Sequence, residues 1–316
     1  MNTPPQLGRR RWYAGYAWAV LAYTEAVILW GAYVRVAGAG SGCGVSWPLC
    51  DGQFLPHAPQ LKMLIEFFHR VSSGVDGIAI LLLLVGAFWL YPKGDRVRRA
   101  AGLALVFLVT EALLGAALVL FGWVGTNASA ARAAADAVHL TNTLLLLAAV
   151  GLTAAYASGL RSGRWSWSLL TGLAGVVVTA AFGVMAALAD TLYPSTSLAA
   201  GMSRDFSAAA PSLVRLRTLH PVVAVLVGLY LLYLVVNGTA PRSAAGRRLG
   251  YAVAAAVGVQ WCTGALDLIR LTPASLQVIH LFTADCLWLL LVLYAAALAG
   301  ERAAVTAPPP AYAQSC

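Results

Sequence analysis

Eight long apolar blocks decide what this chain can become. They run at approximately 14–37, 63–91, 100–124, 134–159, 165–188, 216–237, 249–270 and 275–300. A bilayer core asks for about 20 mostly apolar residues per helix, and each block meets that length. The second is long enough to tilt or to protrude. With 60% hydrophobic and 10% charged residues, a soluble fold of 316 residues could not hide so much apolar surface. A disordered chain needs the opposite composition. The net charge of +9 does not point to nucleic acid, because the basic residues stand singly or in short runs between apolar blocks. The expected fold is an all-α polytopic membrane protein of eight transmembrane helices, with lipid as its surroundings.

Lys and Arg set the expected orientation. Arg9, Arg10 and Arg11 precede the first span; Lys93, Arg96, Arg98 and Arg99 follow the second; Arg161 and Arg164 follow the fourth; Arg242, Arg247 and Arg248 follow the sixth. The positive-inside rule puts these segments and both termini in the cytoplasm. Arg132, Arg204 and Arg215 remain on the outer side, so the bias is incomplete. No short apolar region with a small-residue cleavage site precedes span one, so that span reads as retained. A tail from Glu301, with Pro308, Pro309 and Pro310, reads as disordered.

The chain repeats itself. Gly31 precedes His69 at nearly the interval by which Gly183 precedes His220, and Gly115 follows His69 much as Gly264 follows His220. Leu114-Gly115-Ala116 and Thr263-Gly264-Ala265 occupy equivalent places in spans three and seven. The expected organisation is a tail at 1–13, a four-helix half at 14–160, a second half at 161–300 and a tail at 301–316. Four spans per half give both halves the same topology, so the repeat is parallel.

Four of the five histidines, His69, His139, His220 and His280, fall one to a helix in the even-numbered spans. Each is expected roughly 6–9 Å below the outer boundary, from its place early in its block and the rise per residue. Interhelical hydrogen bonding is one use for such residues. Zinc would ask for more ligands of the Cys or carboxylate type. A bis-His pair on facing helices is a natural heme site. There is no Cys-x-x-Cys-His for covalent attachment, and a respiratory cytochrome b would place two histidines on one helix. His57, in the first outer loop, reads as a surface or gating residue.

Three residues before each of these histidines stands a polar group: Glu66, Asp136, Arg217 and Gln277. Such i, i+3 pairs share a helix face. The halves differ in charge here, which suggests two different tasks. Arg217, with Arg215 or Arg270, could meet heme propionates. Glu66 could serve as a proton donor or acceptor, or could form a structural pair with Arg70. Glu25, Glu111, Asp76, Asp267 and Asp285 read as packing or interface groups, with Glu111 deep enough to test. Cys43 and Cys50 lie in an outer loop where a disulfide is plausible, as a staple or as a redox pair. Cys262 and Cys286 read as packing residues, and Cys316 lies in the tail.

Gly31-Ala32-Tyr33-Val34-Arg35, Trp47-Pro48-Leu49-Cys50-Asp51-Gly52-Gln53 and Glu66-Phe67-Phe68-His69-Arg70 together resemble the heme A synthase family. The resemblance covers roughly 14–300. It implies a heme-modifying oxidoreductase in the plasma membrane with heme sites near the outer face. Such an enzyme oxidises the C8 methyl of heme O to a formyl group by successive hydroxylations and supports cytochrome oxidase assembly. By the same resemblance, His69 and His139 flank the iron of the substrate heme O. His220 and His280 hold a b-type heme that relays electrons to an acceptor the sequence does not identify, and Glu66 assists at the methyl group. Some family members carry a second Cys pair between spans five and six; this chain has none there. A heme O synthase and oxidase assembly factors are the expected protein partners. A non-enzymatic diheme electron carrier is the alternative, and a transporter is a third class.

Overall fold

The computed structural model describes residues 4–238 and 243–306. These form ten α-helices: α1 Pro4–Val36, α2 Leu61–Leu90, α3 Arg96–Leu120, α4 Ala130–Ala157, α5 Trp167–Leu192, α6 Leu198–Asp205, α7 Ser212–Leu216, α8 Leu219–Tyr233, α9 Ala244–Ile269 and α10 Ala274–Thr306. Eight segments are long and apolar enough to cross a membrane, with α7 and α8 counted as one. All eight expected blocks are present. In a bilayer every backbone N–H and C=O needs an internal partner, and a helix supplies it.

The departures from the expected limits have local causes. Helix α1 begins at Pro4, not residue 14, since proline is tolerated in a first helical turn. Helix α10 runs on to Thr306, so Glu301–Thr306 is helical, not disordered. Pro308, Pro309, Pro310 and Cys316 lie outside the described residues, as does Arg242. Span six is broken between Leu216 and Leu219, where Pro221 lacks the N–H that would continue the ladder. It ends in a π-helical turn at Leu234–Gly238. The short α6, between spans five and six, is capped by Ser197, whose hydroxyl accepts from the Ala200 N–H.

Helices α1–α4 pack in one group and α5 and α8–α10 in another, joined through α1 and α4 against α5 and α10. Tyr13, Ile80, Leu83, Leu147, Val150, Leu291 and Tyr294 belong to one buried apolar cluster that runs across both groups. Trp288 of α10 donates to the Leu144 carbonyl of α4 at 2.7 Å and ties the groups at their centre. Along α1, aromatic donors meet successive α2 carbonyls: Tyr13 on Leu83, Tyr16 on Ala79, Tyr23 on Ser72 and Trp30 on Ile65. Interhelical hydrogen bonds of this type hold where lipid removes the hydrophobic drive between helices. The outward faces carry Trp89, Leu82, Val106 and Leu113, which suit lipid.

The basic ends gather on one side. Arg10 donates to the Leu90 carbonyl at 3.0 Å, and Arg96 donates to the Ser162 carbonyl. Gly300 is required there, because a Cβ at this position would meet the Arg161 backbone. Gly300→Ala should cost about 1–3 kcal/mol, read as a lower thermal midpoint in detergent. Gly258→Ala, with nothing near its Cβ, should leave the midpoint unchanged within about 0.5 kcal/mol or raise it.

Candidate functional site

Each of the four histidines packs against a glycine of a neighbouring helix. A Cβ on Gly31 would stand 2.8 Å from His69 Cε1, one on Gly183 2.9 Å from His220 Cε1, and one on Gly264 2.9 Å from His280 Cε1. At Gly115 the distance to His139 Cε1 would be 3.9 Å. The glycines singled out by their spacing are therefore the ones that let α1, α3, α5 and α9 approach the imidazole rings. His69 and His139 lie about two turns into α2 and α4, deeper in their helices than expected, while His220 stands on the first turn of α8.

The histidines come in two pairs. The rings of His220 and His280 have centroids 6.2 Å apart and planes at 86°. His220 Nδ1 lies 3.1 Å from the Thr179 carbonyl, to which it can only donate, leaving Nε2 as the basic nitrogen. His280 Nδ1 meets Thr263 Oγ1 at 3.0 Å, and its Nε2 faces the Gln260 amide at 3.2 Å. His69 and His139 are electrostatic neighbours. Here the Nδ1 atoms are buried without a hydrogen-bond partner among the described residues. Among those residues no three His, Cys, Asp or Glu side chains gather to hold a metal ion.

The polar groups that precede each histidine are all engaged. Glu66, 3% exposed, accepts from Arg70 Nη2 at 2.6 Å and from the Cys43 N–H at 2.8 Å. The pair with Arg70, read from the sequence as one possibility, forms. Arg70 also donates to the Ser46 and Leu49 carbonyls at 2.6 Å each. Cys43 and Cys50 are disulfide-bonded, so a single guanidinium holds Glu66 to the disulfide loop. Asp136 lies 3.6 Å from Arg132. Gln277 donates to the Thr272 carbonyl at 2.8 Å. Arg217 is held by Asp190 at 2.8 Å and by Asp205 at 2.5 Å, while Arg215 and Arg270 are exposed. His57 is exposed and bonded to Gln53.

Some groups that contact the histidines and Arg217 escape a sequence reading. Asp190 sits just beyond the expected end of span five and so looks like a loop residue. Gln260 and Thr263 are single polar residues in an apolar helix, and only the Thr263-Gly264-Ala265 string marks them. Thr179 contributes a carbonyl, which no side-chain pattern reveals. Arg35 of α1 reaches Thr191 of α5 at 3.5 Å and links the two helix groups at the histidine end.

A cytochrome oxidase assembly protein family model, COX15-CtaA, matches residues 14–292. The chain belongs to the COX15-CtaA family. The match takes in the second to seventh spans whole and most of the first and eighth. A protein named protoheme IX farnesyltransferase, from Thermus thermophilus, is 44% identical over 300 residues. That alignment covers 92% of this chain and 49% of the relative, so the chain spans about half the relative's length. Heme A synthases of Bacillus mycoides and Bacillus cereus are 44% identical over 96 residues, 30% of this chain and 31% of each relative.

Within this COX15-CtaA chain the Arg70 clamp is a testable joint. Arg70→Ala leaves the Glu66 carboxylate buried with no counter-ion and frees two loop carbonyls. It should cost about 3–5 kcal/mol, seen in a thermal melt, and should speed reduction of the Cys43–Cys50 bond by dithiothreitol. Unchanged reduction kinetics would show that Arg70 does not hold the loop.

Proposed function

We propose that this chain is a heme A synthase, an oxidoreductase that converts the C8 methyl of heme O to a formyl group. The observation that carries the reading is a pair of unlike bis-His sites in one COX15-CtaA membrane bundle. In this reading the half at 14–160 takes heme O between His69 and His139. The half at 161–300 holds a resident b-type heme between His220 and His280.

The residues fit a heme. An iron held between two imidazoles would ask for ring centroids roughly 6 Å apart, from metal–nitrogen distances of about 2 Å and the ring radii. The His220–His280 separation of 6.2 Å agrees. Thr179 and Thr263 occupy the Nδ1 positions and leave each Nε2 for the metal, as outer partners of metal-bound histidines do. Gln260 is the one group that must swing aside. When bound, the b heme supplies one-electron transfer.

The chemistry at the substrate is two hydroxylations of one methyl carbon, then loss of water from the resulting diol. With oxygen entering at the oxidation level of water, the conversion withdraws four electrons and four protons. His69 and His139 orient the porphyrin so that the methyl faces Glu66, one turn away. Glu66 holds charge or a proton there, kept in place by Arg70 and the Cys43 N–H. Arg217, fixed by Asp190 and Asp205, would offer its remaining N–H groups to the propionates of a b heme. The basic helix ends lie in the cytoplasm with both termini, which puts the heme sites near the outer face of the plasma membrane.

The Thermus relative suggests the supplier. Its name describes farnesyl transfer to protoheme, and about half of it lies outside the match. We assign that transfer to the outside half and take a heme O synthase as the partner that hands over the substrate. Assembly factors of the oxidase and an electron acceptor complete the expected contacts. A diheme carrier without enzymatic activity would have no use for two unlike pairs.

Extraction and mass analysis of the bound hemes tests the reading. The purified protein should yield heme B together with heme O, hydroxylated heme O or heme A. His220→Ala or His280→Ala should remove heme B selectively. Glu66→Ala should leave heme O to accumulate with heme A reduced about 100-fold or more, the lower end for loss of acid–base assistance. Heme B alone in the wild type would establish the carrier instead.

A further inference from the structure

The two histidines of the N-terminal pair have unequal surroundings. Glu111 of α3 places Oε1 3.4 Å from His139 Nδ1. It is aimed by the turn of α4 that follows His139. Asn142 Nδ2 donates to Glu111 Oε2 at 2.6 Å, and the Thr143 hydroxyl donates to Oε1 at 2.5 Å. The Asn142 amide is itself fully used. Its second N–H goes to the Phe107 carbonyl at 2.8 Å, and its oxygen accepts from Thr110 at 2.6 Å. This leaves Glu111 as an acceptor with one direction still open, toward His139. Both Nδ1 atoms are buried without a hydrogen bond among the described residues, but only the His139 ring has a carboxylate within ion-pair distance of it there. The His69 ring instead lies against Gly31, and its helix neighbour Glu66 is taken by Arg70 and Cys43.

A carboxylate behind a metal-bound imidazole fixes the tautomer, orients the ring and raises its basicity. We propose that Glu111 is a positioning residue that makes His139 the anchored ligand of the heme O iron and leaves His69 as the exchangeable one. The inference rests on the assignment of His69 and His139 to heme O. It adds a direction to that site. Heme O and its product are held from the α3–α4 side, and the coordination position that opens is the one beside Glu66 and the disulfide loop. A substrate site must release what it binds, so one weak ligand is useful there. At the C-terminal pair both rings have Nδ1 partners, as a resident group requires.

The experiment is a titration of the purified full chain, with its resident heme, by ferric heme O. It is followed by Soret absorbance, electron paramagnetic resonance and the midpoint potential of the added heme. Glu111→Gln loses the charge and keeps one acceptor oxygen for the α4 donors, with a donor amide in place of the other. It should weaken heme O binding about 10–100-fold and move the potential to more positive values, because a less basic ligand favours the ferric state less. Glu111→Asp should restore part of both, and Thr143→Val should shift both in the same direction by less. His69→Ala should retain heme O in a high-spin state, whereas His139→Ala should lose it. A purely structural Glu111 would lower the melting temperature without moving the potential, and that result would overturn the proposal. Equal loss of heme O in His69→Ala and His139→Ala would overturn it as well. If His139→Ala abolishes binding while Glu111→Gln binds as the wild type does, only this inference fails. If heme O binds normally to both histidine variants, the assignment of the site fails with it.

Discussion

The arrangement of this bundle depends on imidazole rings lying against helix backbone with no side chain between them. At Gly31, Gly183 and Gly264 a single added methyl group would overlap the ring of the facing histidine. Lipid tails are as apolar as leucine, so helices in a bilayer gain little from burying apolar surface against each other and associate through close contact and hydrogen bonds. Small residues permit that contact. In this chain the close approach also sets a distance, because the helix that carries the histidine is pressed against its glycine neighbour. The facing rings are then presented across a gap of fixed width, as at His220 and His280.

Charge is the second constraint. A bilayer makes an unpaired ion expensive, and the charged groups near the histidines are accordingly matched. Glu66 has Arg70, Asp136 has Arg132, and Arg217 has both Asp190 and Asp205. These pairs cluster at the histidine end and bind loops to helices. Arg70 ties the disulfide loop to α2, and Arg132 ties the loop after α3 to α4 by donating to the Gly125 and Asn127 carbonyls. Deeper in the bundle, Glu25 of α1 and Asp285 of α10 interact across the contact between the two helix groups. Their carboxyl oxygens are buried with no hydrogen-bond partner among the described residues.

Much of this is legible in the residues alone. Eight apolar blocks give eight spans because length against bilayer thickness leaves few other solutions. The four histidines and their glycines stand out because each type is rare or informative in its setting. The pairing of Glu66 with Arg70 follows from i, i+4 geometry. What escapes the sequence has a common physical character: it depends on partners far apart in the chain. Asp190 and Asp205 meet Arg217 only once the segment between spans five and six folds into α6 and span six opens with α7. Thr179 acts through a carbonyl. The end of α10 escapes for a different reason, since composition near a proline run says little about the turn before it.

The asymmetry between the halves is where sequence and structure together say more than either does alone. Two groups of helices with one histidine per even span could have produced two equivalent sites. Instead, both Nδ1 atoms are occupied at His220 and His280, while at His69 and His139 the surroundings are uneven. The histidines are the same in both halves and the groups behind them differ. A difference confined to the groups behind the ligands alters how firmly a metal is held and at what potential, without altering the fold that presents the ligands. In the proposed function, the half at 161–300 would act in this way as a holder while the half at 14–160 binds and lets go.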